Sequence, residues 1–142
     1  MVVYKGQMEN DESLIFIGDK TEKMEVITHT VNDTKMAEII SEDIVLMTTE
    51  DGLDLLGNFY YQGFDKIILH KENITPDFFD LKNGIAGEVL QKFAQYRVPL
   101  AIVGDFSDIQ SKSLKDFIYE SNNGKHINFA GSLSEALDFL SK

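Results

Sequence analysis

The sequence predicts an α/β fold, a mixed sheet of about five strands with four helices, and three observations lead to it. Residues 66 to 106, KIILHKENITPDFFDLKNGIAGEVLQKFAQYRVPLAIVGDF, read as a strand, a loop, a helix and a second strand, which is a βαβ unit. Its apolar runs, Ile67 to Leu69 and Leu100 to Val103, are short and rich in β-branched residues, as strands covered on both faces are. Ahead of it, MEVITHT alternates Met24, Val26 and Thr28 against Glu25, Ile27 and His29, and Asn32-Asp33 supplies a reversal before MAEII. That pair reads as a hairpin feeding the βαβ region.

Taken in order, residues 1 to 23 form an N-terminal extension or an added edge strand, with the apolar run at Leu14 to Gly18 as its strand or arm and a flexible extension as the competing reading. Met8 and Met24 are alternative starts. Residues 24 to 142 form a single α/β domain. After the hairpin and the short segment Ile44 to Met47, Thr48 or Thr49 caps a helix whose first turn holds Glu50 and Asp51. Leu53, Leu56, Phe59 and Tyr60 share its apolar face, and Gly63 ends it.

The strand Lys66 to His70 follows, and Thr75-Pro76 marks a helix start, a hydroxyl cap followed by proline at the first position. That turn breaks at Asn83-Gly84, after which Ile85, Ala86, Val89, Leu90, Phe93 and Tyr96 make an apolar stripe. Gly87 lies within it and reads as a close-packing position, since glycine costs about 1 kcal/mol of helix propensity. Ser111 or Ser113 caps a helix carrying Leu114, Phe117 and Ile118, and Asn122-Asn123-Gly124 stops it. His126 to Ala130 is the last strand. Ser132 and Glu135 form a capping box for a helix built on Leu133, Ala136, Leu137 and Leu140.

Composition narrows the function classes. The 142 residues carry 24 acidic against 13 basic side chains, a formal charge of −11, which disfavours nucleic acid or an anionic membrane as partner. Lysines are scattered among acids, so no basic stripe offsets this. Without cysteine there is no disulfide framework, thiolate metal site or cysteine nucleophile, and the cytoplasm is the default compartment. No apolar run approaches the length of a membrane span, and MVVYKGQMENDE lacks the blocks of a signal peptide.

In an open α/β sheet ligands gather outside the carboxyl ends of the strands, here His70 to Thr75 and Gly104 to Asp108. His70, Glu72, Asp105, Ser107 and Asp108 are therefore expected to converge, with Thr75, Asp77, Asp80 and Lys82 at the adjacent turn. A hard cation would suit the carboxylates, but acids at strand ends and helix starts are ordinary caps, so no metal and no cofactor is assigned. There is no GxGxxG, no phosphate loop and no GxSxG elbow. Most aromatic residues fit helical core positions. In the Phe78-Phe79 pair only one ring can face the core, and the other is expected to serve as a contact anchor; Phe78 is taken as the candidate.

The phrases FFDLKNGIAGEVLQKF and KSLKDFIYESNNGKHINF resemble the bacterial family called domain of unknown function 4180, over about residues 24 to 142. The element order also looks like the STAS domain, the fold of anti-sigma-factor antagonists. That likeness implies a regulatory loop at Asn73 to Lys82, where Asp80 stands for the family's aspartate; Leu81 and Lys82 follow it, so the acceptor serine is missing. Thr75 is the nearest hydroxyl, and helix capping explains it. A flavodoxin-like doubly wound sheet is the alternative, with helices on both sheet faces rather than one.

The expected function is a non-enzymatic, STAS-like regulatory or binding module acting through residues 72 to 82 on a protein partner or a small molecule, with a second copy of the chain among the admissible partners. The alternative is a small hydrolase or metal-dependent enzyme using His70, Asp105 and Asp108.

Overall fold

A computed structural model describes residues 2–5, 11–16 and 23–142. The strands are β1 (Val2–Lys5), β2 (Asp11–Phe16), β3 (Lys23–Val31), β4 (Thr34–Ile40), β5 (Lys66–His70), β6 (Leu100–Val103) and β7 (Ile127–Ala130). The helices are α1 (Thr49–Tyr61), α2 (Ile85–Gln95), α3 (Lys112–Asn122) and α4 (Leu133–Leu140). The expected mixed sheet of five strands and four helices is present as β3 to β7 with α1 to α4, and β1 and β2 extend it to seven. The run expected at Leu14 to Gly18 falls in β2 as far as Phe16 and otherwise lies outside the described residues. Its strand is flanked on both sides, by β1 and β3.

The strands are ordered in the sheet as they are in the chain. β1 to β4 run antiparallel and β4 to β7 parallel. Asn32 and Asp33 take φ of 51° and 66°, the left-handed geometry a two-residue hairpin needs, and so set Val31 opposite Thr34. Crossovers between parallel strands are right-handed, and three in succession moving the same way place their helices on the same side. Accordingly α1, α2 and α3 pack on one face, over Ala37, Ile39, Ile67, Leu69, Leu100 and Ile102. The last helix, α4, folds back on the other, over Met36, Ile68, Ala101 and Ala130, and Lys66 Nζ donates to the Leu140 carbonyl at its end. Helices thus lie on both faces, as the doubly wound alternative expects, but winding never reverses, so the sheet has no switch point between the described strands.

Three details depart from the expected packing. Gly87 is exposed, and a Cβ there would meet nothing within 4 Å. The close-packing glycine is Gly52 of α1, where a Cβ would lie 2.7 Å from Val89 Cγ2 of α2. Tyr60 and Tyr96, expected on buried stripes, are about half exposed and stack edge to face at 5.4 Å. The buried face of α1 is centred on Gly52, Leu55, Leu56 and Phe59, which turns Tyr60 outward. Tyr96 is the C-cap of α2, its amide still bonded to the Lys92 carbonyl, and its ring leans on Tyr60 at the exposed end of the helix.

Candidate functional site

At the carboxyl ends of β5 and β6 the chain leaves the sheet in two loops. The first is a series of three 3-10 turns, Lys71–Asn73, Pro76–Phe79 and Leu81–Asn83, rather than one long helix start. Asn73 pins it: the buried amide donates to the carbonyls of Ser41 and Asp43, both at 2.8 Å, while its own carbonyl accepts from the amides of Val45 and Leu46. The segment Ile44 to Met47 is thereby tied to the loop, and Leu46 makes a parallel bridge to Ile74. Thr75 Oγ1 accepts from the Asp77 amide at 3.4 Å, and Asp80 Oδ1 accepts from Lys82 at the same distance. Gly84, at φ 84°, makes the left-handed turn into α2, as Asn83-Gly84 predicts.

The tight pitch of the 3-10 turn decides between the paired phenylalanines. Phe78 is 1% exposed and belongs to the core, so it is not available as a contact anchor. Phe79 is the half-buried ring, 6.1 Å from Phe106 on the second loop, and Phe106 in turn meets Phe129 at 5.4 Å.

Between the loops lies a groove of about 470 Å³ whose walls include Ile44, His70, Lys71, Glu72, Gly104 and Asp105. Beside it opens an apolar pocket of about 220 Å³ lined by Ile74, Pro76, Phe79, Phe106, Ile109 and Leu114, with Lys71 its charged wall. A third depression, of about 530 Å³, is lined by Phe79, Asp80, Leu81, Lys82, Ser111 and Ser113 among others. Lys71 Nζ donates to the Asp105 carbonyl at 2.5 Å and stands 5.0 Å from the Phe106 ring centre and 6.0 Å from that of Phe79. Its stem crosses Gly104 so closely that a Cβ at 104 would fall on Lys71 Cβ.

His70 enters the groove from a buried cluster. Glu38 of β4, 4% exposed, accepts from His70 Nε2 at 2.7 Å through Oε2 and from His29 Nε2 of β3 at 2.8 Å through Oε1. Burial acts to raise the Glu38 pKa, but the bonds from His70 and His29 outweigh it and hold the carboxyl below its ordinary 4.5. The same bond to Glu38 lifts His70 above its ordinary 6.5, against the opposing effect of burial and with help from nearby Glu72. The three residues share one sheet face because Glu38 alternates with the inward Ala37 and Ile39 of the other face, and pairing lays β3, β4 and β5 side by side.

The sequence-predicted residues divide accordingly. His70, Glu72 and Asp105 share the groove, whereas Asp80 and Lys82 line the third depression. Thr75 and Asp77 act in the turn itself. Asp105 Oδ1 accepts from the Ser107 hydroxyl at 2.6 Å and its amide at 2.9 Å, and these bonds hold that exposed carboxyl below the ordinary range. Asp108 lines neither the groove nor the apolar pocket. The carboxylate serving His70 is therefore Glu38, not Asp105 or Asp108. Glu38 and His29 were not anticipated, although a glutamate within MAEII, flanked by apolar residues on both strand faces, is a signal for a partnered buried charge. Among the described residues, no group of three or more histidine, aspartate or glutamate side chains is arranged to hold a metal ion.

No helix among the described residues is long and apolar enough to cross a membrane. A family model described as Domain of unknown function (DUF4180) matches residues 31–140, inside the span of the resemblance read from the sequence. No curated protein and no solved structure matches the chain.

Proposed function

We propose, from the premise that this chain belongs to the family described as Domain of unknown function (DUF4180), that it is a non-enzymatic regulatory or binding module whose ligand or partner seats on residues 72 to 82 and the facing 104–114 segment. One observation carries this reading: the loop is pinned by Asn73 and braced by the Phe79 and Phe106 rings, so that an apolar pocket stands beside the groove that His70, Lys71, Glu72 and Asp105 line. Pockets of mostly apolar lining with a few fixed polar groups are the usual form of a binding site. The resemblance to STAS domains read from the sequence supports a regulatory role for this loop, and the lack of cysteine accords with a cytoplasmic setting.

The test is a fragment mixture followed by amide chemical shifts on the full chain. Binding should move residues 71–79 and 104–114 together and be lost in Phe79→Ala, with Tyr61→Ala, an exposed aromatic change elsewhere, leaving it intact. Shifts confined to other surfaces would overturn the reading.

A second reading, acid–base catalysis at His70, is favoured by its bond to Glu38, since an oriented imidazole in a groove is the form of a general base. Turnover of ester or phosphoester model substrates that disappears in His70→Asn would support it, and no turnover above that variant would remove it.

A further inference from the structure

We infer that the apolar pocket beside the 71–79 loop takes a small monocarboxylic acid carrying one aromatic or branched aliphatic group, with the carboxylate on Lys71 Nζ and the apolar end against Phe79, Phe106, Ile109 and Leu114. This rests on the proposed binding role of that loop and names the class of its ligand.

Size sets the first limit. At about 220 Å³ the pocket is below the roughly 300–1,000 Å³ of sites for drug-sized molecules, so it accommodates a single ring or a short branched chain. Chemistry sets the second. Lys71 is the one charged residue in its lining, and its position is built: the ammonium is held by the Asp105 carbonyl and two ring faces, and the stem occupies space that exists because residue 104 is glycine. An ammonium has three donors, and the carbonyl uses one, so donors remain for an anion at the pocket mouth. Charge sets the third. Glu72 and Asp105 line the adjoining groove, and their carboxylates repel a dianion such as a phosphate monoester more than a monoanion. A cationic ligand would meet Lys71 directly.

The probes are 3-phenylpropionate and its neutral isostere 3-phenylpropanamide, titrated into the full isotope-labelled chain at neutral pH. The acid should move the amides of Lys71, Phe79, Phe106 and Leu114 and bind about tenfold tighter than the amide, a ratio equivalent to about 1.4 kcal/mol. Lys71→Met should abolish that preference, so that acid and amide bind alike, and Lys71→Arg should retain it. Gly104→Ala, which displaces the lysine stem without altering the aromatic wall, should reduce it as well. Acid and amide moving the same residues with equal affinity would overturn the ligand class but leave the pocket as the binding site. Shifts from neither probe would also overturn the class, and the fragment mixture then judges the site independently.

Discussion

His70 Nε2 donates to Glu38 Oε2 over 2.7 Å, so the ring that lines the groove on β5 is fixed from the neighbouring strand. A second histidine, His29, holds the other oxygen of the same carboxylate. The cluster thus makes stability depend on pH from two sides. His70, with its pKa raised, contributes fully below 6.5, and that contribution is lost as pH rises through its folded value. Glu38, with its pKa lowered, contributes fully above 4.5, and that contribution is lost as pH falls through its folded value. Urea unfolding of wild type and Glu38→Gln should differ most between pH 4.5 and 6.5, by about 1–3 kcal/mol, the cost of unsatisfied buried polar groups. A difference that stays flat with pH would show that the carboxylate acts there only by shape.

The two helix glycines should respond in opposite directions. Gly52→Ala forces a methyl against Val89 in the α1 and α2 contact and should destabilise by about 1–3 kcal/mol. Gly87→Ala enters open space on the exposed side of α2 and should stabilise by about 0.5–1 kcal/mol through helix propensity. Thermal unfolding of both variants decides whether packing or flexibility explains each glycine.

Asn73 donates to two carbonyls from a buried position, a role for an amide and not for an acid. Asn73→Asp sets a carboxylate against those carbonyls, and it should cost more than Asn73→Ala, which is expected to lose about 1–3 kcal/mol. Hydrogen exchange of Val45 and Leu46, whose amides end on the Asn73 carbonyl, should accelerate in both variants, and more in the aspartate.

Asn122 closes the outer edge of β7. Its Oδ1 accepts from the Phe129 amide at 2.7 Å and from Asn128 Nδ2 at 3.0 Å, while its Nδ2 donates to the Phe129 carbonyl at 3.2 Å. Asn122→Ala should lose about 1–2 kcal/mol and free backbone groups that template pairing between chains. Sedimentation should then show self-association that grows with concentration, and a variant that stays like wild type at all concentrations would contradict this.

The order of elements from β3 to α4 was legible because each carries its own local signal. Alternation marks the hairpin, hydroxyl caps mark α1, α3 and α4, and Asn83-Gly84 marks the left-handed entry to α2. The position of the groove was legible too, since His70, Glu72 and Asp105 lie where parallel strands end. What was not legible depends on phase or on distant register. Which of Phe78 and Phe79 faces the core depends on the pitch of the turn that holds them, and Tyr96 sits at the very end of α2, where its exposure depends on the neighbouring Tyr60 of α1. The His29, Glu38 and His70 cluster draws on three strands, and Glu38 and His70 are 32 positions apart in the chain, so no local pattern announces it. The pinning of the loop by Asn73 depends in the same way on carbonyls more than 25 residues earlier.

The agreement between strand order and chain order also bears on how the molecule reaches its native state. From β3 to β6 each strand pairs with the strand that follows it in the chain, across either a tight turn or a helical crossover. No strand must wait for a distant, later segment to be inserted between strands already paired. The sheet can therefore grow from one edge to the other as the polypeptide emerges, each addition closing a loop of modest length and correspondingly modest entropy cost.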